Sequence, residues 1–120
     1  MIRIIPILFL FLFLFFSCTT AKIKRLPAPD NLISEKKLVS ILKDMTVMEC
    51  YVLQKMPSLE QNHKVMSETG LAILAKHQID SAAYSSSMDY YGSRQEKMQE
   101  IYSKVLDQVN LDLVKEQAGK

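Results

Sequence analysis

The thirteen residues Ile4–Phe16 are almost all apolar, and they limit what the rest of this 120-residue chain can use for folding. A membrane-spanning helix needs about 20 apolar residues, so the run is too short for a permanent span. It has the length of the apolar core of a secretory signal, with Arg3 supplying the positive charge before it. All five phenylalanines belong to this run. A domain that follows it must therefore build its core from aliphatic residues, methionine and tyrosine.

The residues that close the run, Phe15-Phe16-Ser17-Cys18, resemble a bacterial lipobox. In such signals the cysteine thiol is acylated, the peptide is cut before the cysteine, and the new amino terminus is acylated too. The resemblance implies a lipoprotein signal peptide at 1–17, cleavage between Ser17 and Cys18, and attachment to a membrane through fatty acyl chains such as palmitate on Cys18. An ordinary secretory signal cut near Ser17 is the alternative.

Residues 18–29 are predicted to be the acylated cysteine and a flexible basic tether. They lack periodicity, and Pro27 and Pro29 keep the chain extended. The eleven residues Thr19–Pro29 reach at most about 35–40 Å when stretched. Bacteroidota lipoproteins that reach the cell surface resemble one another in an acidic run after the cysteine, whereas here no acid precedes Asp30. We therefore expect an outer-membrane lipoprotein whose domain faces the periplasm rather than the cell surface.

The charge of the chain excludes one class of partner. Of the fifteen Lys and Arg residues only Arg3 lies before Cys18, which leaves fourteen against thirteen Asp and Glu. This balance gives no basic field for nucleic acid. The expected partners are the membrane, through Cys18, and a protein of the cell envelope. Once Cys18 is acylated, Cys50 is the only thiol, so the mature chain can form no internal disulfide.

Residues 30–117 are predicted to form the helical domain. Apolar residues recur there at spacings of three and four, and no stretch alternates with a period of two, so the fold class is an all-α bundle of about four helices. The expected helices cover about 34–56, 58–77, 80–92 and 93–116. Predicted end signals are the caps Ser34 and Asp80, the capping boxes Ser58–Gln61 and Ser93–Glu96, a left-handed Gly92, and Pro57 after the first helix.

Two segments carry a family resemblance. "LAKHQIDSAAYSSSMDYYGSRQEKMQEIYSKVLDQV" and "LVSILKDMTVMECYVL" resemble domain of unknown function 4296, a family of small Bacteroidota lipoproteins. The similar elements include Asp44, Glu49, the Lys76-His77 pair and the segment 87–91. The resemblance implies a cell-envelope lipoprotein and supplies no activity.

Glu49 is the residue that most invites a chemical role. Counted at 100° per residue it falls within the apolar stripe of the first helix, where a carboxylate must be paired, hydrogen-bonded or protonated. One interpretation is a general acid or base in a tyrosine-lined pocket, and the other is a structural polar network. The candidate members of that network are His77, Tyr84, Ser87, Tyr91 and Tyr102.

The remaining candidates point to no catalytic site. His63 and His77 have no ligands at metal-binding spacing, so no metal is predicted, and no motif calls for a cofactor. Cys50 is expected to pack inertly at a helix flank, and Tyr90 could contact a partner. Three function classes stay open. They are a non-catalytic interaction module of an envelope assembly, a carrier of an apolar ligand in a Met- and Tyr-lined cavity, and a small enzyme centred on Glu49.

Overall fold

Residues 23–56 and 58–119 are described by a computed structural model. The predicted signal peptide, Cys18 and the first part of the tether lie outside these residues, as does Pro57. The described chain forms four helices and no strand, which confirms the prediction of a small all-α bundle. None of the described helices is long and apolar enough to cross a membrane. The helices are α1 (Glu35–Lys55), α2 (Leu59–Lys76), α3 (Ser81–Gly92) and α4 (Gln95–Ala118).

Helices α1 and α4 run side by side in the same direction. Near the start of α1, Glu35 forms ion pairs with Lys97 (3.1 Å) and Lys104 (3.7 Å) of α4. About two turns further along, Lys43 pairs with Asp112 at 3.0 Å. The partners advance together along both helices, so the two axes are parallel.

Helices α2 and α3 both run in the opposite direction and follow each other along the length of α1. The end of α2 lies at the middle of α1, where Lys76 bonds Asp44 at 2.9 Å. Helix α3 continues from that level, because the Tyr84 hydroxyl contacts the sulfur of Met45 at 3.5 Å. The bundle thus has three rows, which are formed by α1, by α4, and by α2 followed by α3.

The turn between α2 and α3 contains the left-handed residue of the chain's described part. Gln78 has φ 57°, a conformation that glycine adopts more easily. The prediction of a left-handed Gly92 is wrong, since no described glycine has a positive φ. Gly70 lies within the stripe of apolar residues of α2, where its lack of a side chain predicts the close approach of another backbone. That prediction is wrong, because a β-carbon built there would meet nothing within 4 Å.

The helix starts agree with the sequence in two cases out of four. Ser34 and Asp80 cap α1 and α3 as predicted, with Asp80 Oδ1 accepting the N–H of Ala83 at 2.7 Å. Ser58 precedes α2 but makes no capping hydrogen bond. Ser93 does not cap α4 either, because Arg94 occupies that position and the Ser93 hydroxyl donates to the carbonyl of Tyr90.

The core is aliphatic and lies between α1, α3 and α4. Leu38, Ile41 and Ile101 have no exposed surface. The spacing of apolar residues in α4 predicts one core stripe of seven residues, which are Met98, Ile101, Tyr102, Val105, Leu106, Val109 and Leu113. Two of them, Tyr102 and Leu106, are 47% and 59% exposed. A stripe of seven apolar residues spans more than one face of a helix. Only the face with Ile101 and Val105, flanked by Met98 and Val109, packs against the core.

The segment before α1 is attached to the bundle. The Leu26 N–H donates to the Ser93 hydroxyl at 3.0 Å, and Arg94 donates to the Leu26 carbonyl at 2.9 Å. Arg25 also forms an ion pair with Glu96. The prediction of a flexible tether as far as Pro29 is therefore wrong from Arg25 onward.

Helix α3 is much shorter than α1, so the bundle has two halves of different construction. The 12 residues of α3 span about 18 Å, against about 31 Å for the 21 residues of α1. We call residues 33–45, α3 and residues 95–108 the closed half, because there α3 packs on α4. The open half comprises residues 46–55, α2 and residues 109–118. Within it α2 and α4 each contact α1, but none of their Cα atoms approach within 8 Å of each other.

Candidate functional site

An apolar groove lies over α1 in the region where α2 and α4 diverge. Its volume is about 560 Å³. Helix α1 forms the floor, α2 forms one wall and α4 forms the other. We call it the open groove, and it is lined by Lys43, Asp44, Val47, Met48 and Tyr51 of α1, Thr69, Ile73 and Lys76 of α2, and Val109, Asp112, Leu113 and Glu116 of α4.

The apolar lining of the open groove is accessible from solvent. Val47 and Tyr51 on the floor are 50% and 60% exposed, and Leu113 on the α4 wall is 51% exposed. Met48 and Val109 lie deeper and pack against the core. A surface of this kind, with several half-exposed large apolar side chains side by side, is typical of a binding groove rather than of a closed interior.

Two adjacent residues of α1 fix the walls of the open groove. Lys43 donates to Asp112 of α4 at 3.0 Å. Asp44 accepts from Lys76 and from the Nε2–H of His77, both at 2.9 Å, and so ties α1 to the end of α2. Lys43 therefore holds the α4 wall and Asp44 holds the α2 wall. These two contacts set the width of the groove.

The charges at this end of the open groove are stabilised in their ionised forms. Partial burial alone would raise the pKa of Asp44, but the hydrogen bonds from Lys76 and His77 outweigh it and hold that pKa below its ordinary value. The hydrogen bond to Asp112 raises the pKa of Lys43. Both groups remain charged at neutral pH, and neither is prepared for proton transfer.

Three of the predicted polar-network residues are buried or half-buried, and they hold the backbone or the core. The Ser87 hydroxyl accepts the N–H of Ile33 at 2.9 Å, while the Tyr91 hydroxyl donates to the Ile33 carbonyl at 2.8 Å. Burial raises the pKa of Tyr91 and of Tyr84. Ser87 and Tyr91 thus attach the segment before α1 to α3, while Tyr84 contacts Met45 of α1.

Glu49 is not part of that network. It is exposed, and it makes no hydrogen bond or ion pair with the described residues. Glu49 lies on the side of α1 that carries Leu42 and Met45, and the Tyr84 hydroxyl of α3 contacts Met45, about one turn before Glu49. The Glu49 side chain is exposed, so the expectation that it is buried is wrong. Tyr102 is likewise 47% exposed, and His77 bonds Asp44 instead of Glu49.

The other candidates stand apart from one another. His63 and the thiol of Cys50 are exposed, so the expected packing of Cys50 is wrong. The guanidinium of Arg94 lies 3.9 Å from the centre of the Tyr90 ring, and this ring meets Tyr91 edge-on. No group of three metal-ligating side chains occurs in residues 23–56 and 58–119.

Sequence reasoning missed the residues that build the open groove. Asp44 and the Lys76-His77 pair were noted only as shared elements of a family pattern, and the structure brings them into contact. A signal was present in the sequence, because a charged pair at the end of one helix needs an acid on its neighbour. The register that brings Asp44 opposite Lys76 depends on the length of the α1–α2 connection, which periodicity does not define.

The fold and the open groove together define a small all-α domain with an accessible apolar groove. Residues 29–114 match the family model described as Domain of unknown function (DUF4296), and the chain belongs to this family. Comparison with curated proteins and with solved structures gave no match.

Proposed function

We propose that this protein is a lipid-anchored, non-catalytic interaction module of the cell envelope, and that the open groove receives a helix of a partner protein. The observation that carries the proposal is the separation of α2 and α4 over α1. The open groove extends along α1, which forms its apolar floor. An amphipathic helix lying in such a groove would bury its apolar face, a mode of recognition that recurs in many complexes.

The charges of the two walls specify the partner further. The α2 wall carries Lys76, which is 71% exposed. The α4 wall carries Asp112, which is 53% exposed, and Glu116 one turn on. A helix that fits this arrangement has apolar residues at i, i+3, i+4 and i+7, acidic residues on the flank facing α2 and basic residues on the flank facing α4.

The anchor belongs to the proposal because the sequence before the domain supports it. Lipidation of Cys18 in the outer membrane would leave eight residue steps between the lipid and Leu26, whose backbone is bonded to Ser93 and Arg94 in the connection between α3 and α4. That length reaches at most about 25–30 Å. The domain would stand close to the periplasmic face of the membrane. Mass spectrometry of the mature N-terminus tests the lipid, and protease treatment of intact and opened cells tests the side.

A carrier of an apolar ligand is the second candidate. The volume of the open groove, about 560 Å³, lies within the range of roughly 300–1,000 Å³ common for small-molecule sites. Native mass spectrometry of the protein purified from membranes distinguishes the two. A bound lipid of defined mass favours the carrier. The enzyme alternative has no comparable support, because Glu49 is exposed and has no hydrogen-bond or ion-pair partner among residues 23–56 and 58–119.

Site-specific photo-crosslinking tests the partner helix. A benzophenone amino acid replaces Tyr51 on the groove floor, and a matched control carries it at Leu53, which is 59% exposed on another side of the same helix. We expect the Tyr51 position to cross-link a defined protein in envelope membranes, through a peptide with helical apolar spacing, and the Leu53 position not to. Equal products from both positions, or cross-links to lipid alone, would contradict the proposal.

A further inference from the structure

A second uncovered surface lies along the first half of α4, and it shares no residue with the open groove. It is a shallow depression of about 600 Å³. Three large apolar side chains are accessible there, with Leu106 59% exposed, Ile23 54% exposed and Tyr102 47% exposed. We call this surface the α4 face, and its larger lining residues are Ile23, Gln95, Met98, Gln99, Tyr102 and Leu106.

The side chains of the α4 face suit the boundary between lipid headgroups and acyl chains. None of the described residues that line it is charged, although eight of the 24 residues of α4 are charged. Tyrosine is common at that depth of a membrane, because its ring is apolar while its hydroxyl can stay hydrated. The carboxylate that follows Gln95 on α4 is Glu96, and it forms an ion pair with Arg25. The α4 face therefore presents apolar and uncharged polar groups to whatever covers it.

The course of the chain brings a lipid to this surface. Ile23 borders the α4 face, and three residues further on the Leu26 backbone is bonded to Ser93 and Arg94. Only five residue steps separate Ile23 from Cys18, and they reach at most about 18 Å. A lipid on Cys18 would hold Ile23 within that distance of the headgroup layer. The resulting high effective concentration makes a modest apolar contact sufficient.

The charges beside Ile23 favour a phospholipid surface as the occupant. Lys22, Lys24 and Arg25 surround Ile23 in the sequence, and no acidic residue occurs before Asp30. Lys24 is exposed and forms no ion pair with the described residues. Basic groups close to a leaflet of anionic phospholipid are attracted to it. An apolar surface with basic residues at its edge is also the arrangement by which proteins lie on a membrane.

We infer that the α4 face lies on the phospholipid surface that holds the anchor. Ile23, Met98 and Leu106 meet the upper part of the acyl chains, and the Tyr102 hydroxyl stays among the headgroups. The contact depends on the lipid anchor proposed above, since the apolar surface is small. It adds an orientation to that anchor, because the first half of α4, rather than α1 or α2, faces the membrane.

Tryptophan fluorescence tests the contact, because the chain contains no tryptophan of its own. Leu106→Trp places a reporter on the α4 face. Leu111→Trp is the matched control, since Leu111 is 58% exposed on another side of α4. Each full lipoprotein is purified from membranes and reconstituted into vesicles of phosphatidylethanolamine and phosphatidylglycerol, with and without bromine on the acyl chains near the headgroups. Mass spectrometry checks the lipid on Cys18, and melting temperatures check folding.

We expect Leu106→Trp to lose most of its fluorescence in the brominated vesicles and Leu111→Trp to keep it. Adding Tyr102→Glu should weaken the quenching of Leu106→Trp, because a carboxylate opposes burial at the lipid surface. Equal quenching at both positions, or none at Leu106→Trp in a lipid-bearing protein, would overturn the contact and leave the anchor intact. A shift of the Leu106→Trp emission to shorter wavelength without quenching would mean that protein covers the α4 face, and would also overturn it. A mature chain without lipid on Cys18 would contradict the anchor and the contact together.

Discussion

The closed and open halves of this bundle use the same kinds of residue for opposite purposes. Among the described residues, nine of the twelve buried apolar side chains belong to the closed half, and eight of the twelve exposed large ones belong to the open half. The difference arises from one short helix. Where α3 is present, it completes a core with α1 and α4. Where α2 takes its place, α2 does not contact α4, and apolar surface between the two helices stays uncovered. Buried side chains are concentrated in one half, and the surface proposed for binding lies in the other.

A pair of truncations in α4 gives the largest expected contrast between the halves. Ile101→Ala removes a side chain with no exposed surface from the closed half, and we expect a loss of about 2–5 kcal/mol in the free energy of unfolding. Leu111→Ala removes one that is 58% exposed in the open half, and the change should stay within about 0.5 kcal/mol. Urea denaturation of both variants measures it. Similar losses would mean that the open half is packed as tightly as the closed one.

The second prediction concerns Asp44, which connects the two halves by joining α1 to the end of α2. Asp44→Ala removes the acceptor that holds the end of α2, and we expect a loss of about 1–3 kcal/mol. Glu49→Ala is the control, because it removes an exposed carboxylate without a described partner from the same helix and should change stability by less than about 0.5 kcal/mol. Denaturation curves decide. A larger loss for Glu49→Ala would restore the buried network that the sequence suggested.

The contacts of Asp44 with Lys76 and His77 make the free energy of unfolding depend on pH in a defined direction. The pKa of Asp44 is lower in the folded chain than its ordinary value of 3.8, so the unfolded state binds its proton more readily. The stabilisation is complete above the unfolded pKa and is lost as the pH falls through the folded one. As the pH falls below the ordinary value of 3.8, the wild type should therefore progressively lose its advantage over Asp44→Ala. A constant difference would exclude this linkage.

How much the sequence can predict differs between the halves as well. The four helices follow from periodicity, and the caps at Ser34 and Asp80 follow from local hydrogen bonding. The register of Asp44 against Lys76, and the exposure of Glu49, depend on where neighbouring helices end. Periodicity shows which face of a helix is apolar, but it does not show whether another helix extends far enough to cover that face. The open groove results from such an uncovered face.

Gly70 offers the smallest stability effect. It lies within α2 in the open half, with open space where a side chain would extend. Gly70→Ala should therefore stabilise the protein by up to about 1 kcal/mol, because alanine favours the helix and meets no clash. The urea midpoint measures the gain. Destabilisation would show that α2 approaches another backbone more closely than described.

Amide hydrogen exchange along α1 compares the two halves within one continuous helix. Residues 38–42 contribute to the closed core, and residues 47–51 form the floor of the open groove. We predict that amides of 38–42 exchange only through global unfolding, while those of 47–51 exchange through a local opening of lower free energy. Equal protection along the whole of α1, at the level of global unfolding, would contradict the division into a stabilising half and a binding half.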